Sequence, residues 1–395
     1  MFTNSEMNLC KICKVRSLQA VYWPLGSRYG TVVCLCQGCG VSVSIKQKFP
    51  EDRIKTTSSD ADWGNVRHGK QLRFDIIRKL SIFKNLVHGD VLDVGSSRGD
   101  FVSWASAISS VDSVTGIEPD NSVFDHEKYL GVEYINERFE NFHNAKEKYF
   151  DFIYCSQTLE HLDNPIDALV KARNLLKDSG HILIDVPNLD IIKNKNIVEE
   201  FFIDKHTYHF SHSVLLKIVI EAGFDIFHDA STSDNLIFIL KKKNASEQNF
   251  DLNSGILFDE IKAIDFENYS KILDKNRDFL KRVVAERIQP LLKRQKCAFW
   301  GAGRILDALI KYGNLELKGD TVVIDTYLSG KAKVSNSIDI YSPFYLKIFE
   351  PDIVFILASA AEADLAMQAY EIGVRHVILF TEMLDQVVVA GDQRQ

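Results

Sequence analysis

The chain has 395 residues, 46% of them hydrophobic and 26% charged, with a formal net charge of −7. That length implies two or three domains rather than a single core. The acidic balance argues against nucleic acid as a main partner, and no apolar run approaches the ~20 residues that a membrane helix needs. The start, "MFTNSEMNLCKICKV", lacks the apolar core of a secretory signal. The expected setting is cytoplasmic, where cysteines serve more often as metal ligands or free thiols than as disulfides.

Five of the seven cysteines lie in the first 39 residues, in "LCKICKV" and "VCLCQGCGV". Cys10 and Cys13 form one C-x-x-C, and Cys36 and Cys39 another. A two-residue spacer lets two thiolates of one turn take adjacent corners of a tetrahedron, and two such turns close a zinc site. Gly40 after Cys39 suits a knuckle that turns sharply. Cys34 is an alternative to Cys36 in the set. Four sulfur ligands leave no open coordination position, so this Zn2+ is expected to be structural.

From about 88 to 245, short apolar runs alternate with helical stretches, the pattern of an α/β doubly wound sheet. "GDVLDVGSSRGDFVSWAS" predicts a strand over 91–94, a glycine turn and a helix. Gly95 and Gly99 suit a backbone that approaches a ligand closely. "VDSVTGIEPD" is the next strand, ending at Glu118, where an acidic side chain can accept both hydroxyls of a ribose. "VEYINERFENF", "FDFIYCSQTLEHL" and "GHILIDVPN" supply the third to fifth strands and their exits.

This series resembles the class I S-adenosylmethionine-dependent methyltransferases, with "LDVGSSRGDF" as their first motif and Ser97 at its middle glycine. The resemblance implies S-adenosylmethionine as cofactor. Asp93 would meet the methionine ammonium, Glu118 the ribose, and the Glu137–Arg138 turn the adenine. Gly95, Ser96, Gly99, Pro119, Ser156 and Gln157 would complete that site. A nicotinamide-binding domain would instead show G-x-G-x-x-G with a helix N-terminus facing a pyrophosphate, which "GSSRG" fits poorly.

Charged residues with apolar positions at helical spacing over about 256–294 predict a helical connector. "QKCAFWGAGRILDALIKYG", "DTVVIDTYLSGK", "FEPDIVFILAS" and "VRHVILF" then predict a second, smaller Rossmann-like domain from about 296. The expected division is a zinc module at 1–50, a methyltransferase domain at 66–245, and connector plus Rossmann-like domain at 256–395.

That order resembles the sugar C-methyltransferases, which act on nucleotide-linked keto-deoxysugars in antibiotic and surface-polysaccharide pathways. "FFIDKHTYHFS" falls where the family has a Glu-His pair, an aromatic residue and Phe-Ser. His206 matches the family's histidine, and Lys205 stands at its glutamate. The resemblance implies a ketone substrate whose alpha proton is removed by a base, for which an imidazole is suited. His206 is the candidate base and His161, just after the fourth strand, its rival. O-methylation of a sugar or polysaccharide hydroxyl, and a non-enzymatic sugar-nucleotide binder, are the alternative readings. Ser211 is expected to cap a helix, so His206, His209 and His212 would straddle a loop and a helix start rather than share a metal.

Overall fold

The computed structural model describes residues 9–14, 18–25, 27, 29–47, 68–123, 125–143, 149–243, 264–326, 328–330, 333–334, 338–358 and 361–383. They divide into two compact units. The first draws on 1–60, 69–192 and 201–266, and the second on 61–68, 193–200 and 267–395.

The first unit opens with the strands β1 (Leu18–Tyr22), β2 (Val32–Cys36) and β3 (Ser42–Ile45). The central strands follow: β4 (Gly89–Val94), β5 (Val111–Ile117), β6 (Glu133–Ile135), β7 (Phe150–Ser156) and β8 (Leu176–Pro187). A two-residue strand β9 (Tyr208–His209) and the hairpin β10 (Phe224–Asp229) and β11 (Asn235–Lys242) close the unit. The large sheet has the order β10-β11-β8-β7-β4-β5-β6. β4 pairs in parallel with β5 and β7, and β7 with β8, while β11 runs antiparallel to β8. β4 and β7 lie at the centre, so their carboxyl ends face a shared crevice, the usual ligand position in such sheets.

Local sequence explains these elements. β11 opens "NLIFIL", six successive buried residues, as expected of a strand covered on both faces. The helix Pro165–Leu175 begins where Asn164 accepts hydrogen bonds from the Ile166 and Asp167 backbone N–H groups, with proline at its first position. Ser211 caps His212–Glu221 by accepting from the Val214 N–H, as its sequence predicts.

The small sheet has the order β1-β2-β3-β9. β9 comes from the segment after β8, so the front of the chain and the His206 segment are joined edge to edge. Cys10, Ile12, Cys36 and Val41 are buried in the same cluster as Leu92, Ile184, Tyr208 and Phe210. The cysteine-rich segment thus shares the core of the large sheet.

In the second unit the helix Phe266–Val283 runs into a π turn, Val284–Ile288, and a short helix, Gln289–Leu292. The predicted connector from about 256 lies in part outside the described residues. The strands β12 (Cys297–Trp300), β13 (Thr321–Ile324), β14 (Lys333–Val334), β15 (Ile338–Tyr341), β16 (Ile353–Ile356) and β17 (His376–Leu379) form one sheet, ordered β14-β15-β13-β12-β16-β17. In its glycine turn, Asp325 accepts from the Ala302 and Leu328 N–H groups, so that carboxylate braces the turn itself. Among the described residues, no helix of either unit is long and apolar enough to cross a membrane.

Candidate functional site

A small cleft opens at the carboxyl ends of β4 and β7, lined by Phe74, Asp93, Gly95, Ser96, Asp100, Phe101, Tyr154 and Ser156. Of the sequence-predicted donor residues, Asp93, Gly95, Ser96 and Ser156 line it directly. Gly95 (φ +73°) and Gly99 (φ +80°) hold backbone conformations that only glycine adopts freely. Ser97 (φ +50°) and Gln157 (φ +49°) take the same left-handed region without being glycine, at a cost of about 1–3 kcal/mol each.

Glu118 is 7% exposed at the exit of β5. Its carboxylate accepts from the Ser97 N–H at 2.9 Å and the Asp120 N–H at 3.0 Å. A carboxylate offers about four lone-pair sites, so these two bonds leave acceptor capacity on each oxygen. Asn136 donates to the Glu118 and Pro119 carbonyls and closes the turn over them. Arg138 pairs with Glu140 at 2.6 Å and Asp163 at 3.3 Å. The Glu137–Arg138 turn, expected at the adenine, is thereby tied to the β7 exit and lies outside the cleft lining.

Tyr129, which the sequence reading did not single out, packs behind the glycine turn. Its hydroxyl donates to Ser96 Oγ at 2.6 Å. A Cβ on Gly99 or Gly116 would come within 2.6 or 2.8 Å of its ring, so these glycines make room for it. Burial, and then the Asp93 carboxylate, push the Tyr129 hydroxyl up, keeping it a hydrogen-bond donor. On the far side, Arg73 grips the buried Asp185 through two hydrogen bonds of 3.1 and 2.7 Å. Asp185 also accepts from Ser156 and Gln157 and fixes the β7 exit.

Beyond that exit, Glu160, His161 and His206 converge, their ligand atoms within 4.8 Å of one another. Glu160 Oε1 lies 3.8 Å from His161 Nε2 and 3.9 Å from His206 Nε2. Glu160 is 1% exposed, while the His161 and His206 side chains are 26% and 13% exposed. The two candidate bases therefore belong to one cluster with a buried carboxylate as its floor. His209 is apart from it in role: it is buried, and its Nε2 pairs with Ser44 Oγ at 2.7 Å. His212 pairs with Asp229 at the surface.

Burial, and then the His161 charge, pull His209 down to about 3 from 6.5. A lowered folded value means that the neutral form is favoured in the folded protein. Its contribution is complete above pH 6.5 and is lost as pH falls toward 3, at up to about 1.4 kcal/mol per pH unit. His209→Gln should therefore flatten the fall of unfolding free energy between pH 6 and 4, measured by urea denaturation. An unchanged slope would remove His209 from the acid response.

At the front, Cys10 Sγ lies 3.6 Å from Cys39 Sγ, and Cys13 Sγ 3.5 Å from Cys36 Sγ, with all four sulfurs within 4.8 Å. A tetrahedron of Zn–S bonds of about 2.3 Å has edges of about 3.8 Å, so the set fits zinc. The Cys39 N–H donates to Cys36 Sγ, and Gly40 turns with φ +74°. Cys34 lies in β2 opposite Ala20 and Val43, outside the cluster, and burial pushes its thiol up. The contact between Cys10 and Cys39 lowers the Cys10 thiol and raises the Cys39 thiol, so this pair shares its proton.

Residues 66–229 match the family model described as a methyltransferase domain. With the strand order above, this stretch is a class I S-adenosylmethionine-dependent methyltransferase domain. The chain is 26% identical over 160 residues to a tRNA U34 carboxymethyltransferase of Helicobacter pylori (strain HPAG1), covering 37% of this chain and 54% of that protein. It is 27% identical over the same length to its counterpart in strain Shi470. The chain thus spans about half the length of these curated relatives. Among solved structures, a 1,6-didemethyltoxoflavin-N1-methyltransferase of Burkholderia thailandensis is 14% identical, with a TM-score of 0.38 over 53% of this chain and 98% of that one. An S-adenosylmethionine-dependent methyltransferase of Mesorhizobium loti is 14% identical, with a TM-score of 0.35 over 42% of this chain and 100% of that one.

Proposed function

We propose that this methyltransferase domain transfers a methyl group from S-adenosylmethionine to a nucleotide-activated deoxysugar, at a carbon next to a ketone. The observation that supports the reading is the Glu160–His161–His206 cluster. It is a set of proton-accepting side chains, two of them on the segment that follows β7, whose Ser156 lines the cleft. The sugar class rests on the order of segments along the chain and on the His206 stretch, which resemble the sugar C-methyltransferases. The tRNA named for the Helicobacter relatives is not carried over, because a net charge of −7 disfavours a polyanion.

Asp93, Gly95, Ser96, Gly99, Glu118 and Ser156 would hold S-adenosylmethionine, whose sulfonium supplies an electrophilic methyl group. The chain's own task is on the acceptor. His206 takes the proton alpha to the ketone, the C–H electron pair enters the enolate, and that carbon becomes the nucleophile. A hydroxyl acceptor would need only its O–H proton removed by the same imidazole, which is the O-methylation alternative. Cys10, Cys13, Cys36 and Cys39 would hold one structural zinc.

Glu118→Ala should weaken S-adenosylmethionine binding by about 1.5–3 kcal/mol, the scale of hydrogen bonds to a charged group. Calorimetry reads it directly. Because Glu118 also braces Ser97 and Asp120, Glu118→Gln should recover part of the loss. Parent affinity in the alanine variant would contradict the ribose position. A parent protein with no affinity for S-adenosylmethionine would favour the non-enzymatic alternative.

A further inference from the structure

Glu160 lies at 1% exposure, and His161 and His206 turn Nε2 toward its Oε1 at 3.8 and 3.9 Å. These spacings are too long for hydrogen bonds. Neither carboxylate oxygen accepts a hydrogen bond among the described residues. An ionised carboxylate at that depth calls for positive charge close by. Two stretches of chain build the cluster, and backbone groups join them: the Thr207 N–H donates to the Glu160 carbonyl at 3.0 Å.

His161 Nδ1 lies 3.0 Å from the Lys205 carbonyl, which can only accept, so Nδ1 carries the proton. In the neutral ring the lone pair is then on Nε2, the atom turned toward Glu160. An imidazole that donates one N–H to a backbone carbonyl and presents its other nitrogen beside a carboxylate is arranged as a metal ligand is. The ligand atoms of Glu160, His161 and His206 all lie within 4.8 Å of one another. Metal bonds of about 2.1 Å space neighbouring ligand atoms by about 3.0–3.4 Å, so closure by about half an ångström brings these three onto one ion. The His161 and His206 side chains are 26% and 13% exposed, so solvent reaches the cluster.

We infer that Glu160, His161 and His206 form a second metal site, separate from the four cysteines, for a divalent ion of the zinc, cobalt or nickel type. Two imidazoles with one carboxylate suit such ions better than magnesium or calcium, which take oxygen ligands. The site goes beyond the proposed function, and its consequence for the base rests on that reading. A neutral imidazole has one lone pair. An ion on His206 Nε2 takes it, and none is left for the acceptor's proton. Filling the site therefore stops the base, and the ion acts as an inhibitor.

The test uses the full chain with its cysteine site already loaded with zinc, and Co2+ as the probe. Calorimetry should show one Co2+ bound per chain in addition to the zinc. Visible cobalt bands should appear without the thiolate charge-transfer band that cysteine ligands give. Glu160→Gln should weaken Co2+ binding by at least about 10–100-fold, the cost of losing even an outer partner of a metal ligand. His161→Gln removes a second ligand and should do the same, with melting midpoints showing that both variants are folded. His212→Ala, at the surface pair with Asp229, should keep parent affinity. No Co2+ beyond the zinc, or parent affinity in both Glu160→Gln and His161→Gln, would overturn the site. With a nucleoside-diphosphate 4-keto-6-deoxyhexose as acceptor, methyl transfer should fall to half at the Co2+ Kd. Undiminished or faster transfer at saturating Co2+ would overturn the inhibitory role. A parent that binds Co2+ through these residues but methylates no sugar would sink the sugar reading and leave the site standing.

Discussion

His206→Ala is expected to lower methyl transfer about 10²–10⁴-fold, the usual cost of removing a general base, with donor affinity unchanged. The donor residues stand at the ends of β4, β5 and β7, whereas His206 arrives on the segment between β8 and β9. The substrate's alpha proton should also cease to exchange into deuterated water. Normal exchange without methylation would place the base elsewhere. Normal methylation would remove His206 from the chemistry altogether. His161→Ala should cost less, since its Nδ1 is already engaged by the Lys205 carbonyl.

The parent is expected to carry about one zinc per chain by metal analysis, and Cys36→Ser is expected to lose it. Structural zinc of this kind is bound with an apparent free energy of about 10–16 kcal/mol, much of which is folding energy. The effect should reach beyond the cysteines. Ser27 and Thr31 both donate to Asp204, two residues before His206. Ser44 accepts the pairing of β9 by donating its N–H to the Thr207 carbonyl, and β3 pairs with β9 through Ser42 and Val43. Loss of the metal should therefore lower the melting midpoint and the methyl-transfer rate together. Cys34→Ser should leave zinc content at the parent level. Full zinc retention in Cys36→Ser would exclude Cys36 as a required ligand.

Asp93, Gly95, Ser96 and Ser156, four of the expected donor residues, line one cleft, and the signals that pointed to them are local. The strand–glycine turn–helix of "LDVGSSRGDF", the acid at the next strand's end and the C-x-x-C pairs all lie within one or two turns of chain. The acceptor half is tertiary. His161 and His206 looked like rivals along the chain, and only folding the β8 exit back over the β7 exit joins them above Glu160. Lys205 stands at the glutamate of the resembled pair, and the carboxylate that does lie near His206, Glu160, comes from a distant stretch of chain. Tyr129 carries no motif, and its place could be inferred only from glycines at 99 and 116 whose missing Cβ atoms make room for a ring. The cysteine segment reads as a separate module, but Val41, Cys36 and Ile12 share a core with the large sheet, because four short strands and loops hold too little apolar surface for a core of their own.

The most direct test is to incubate the full chain with S-adenosylmethionine bearing a 13C-labelled methyl group and a nucleoside-diphosphate 4-keto-6-deoxyhexose, then to read the products by mass spectrometry and 13C NMR. The account predicts one labelled methyl per sugar, bonded to the carbon beside the ketone, with formation of S-adenosylhomocysteine. Label on a sugar oxygen would replace C-methylation by O-methylation, and a protein that binds the donor yet labels only RNA would contradict the sugar reading.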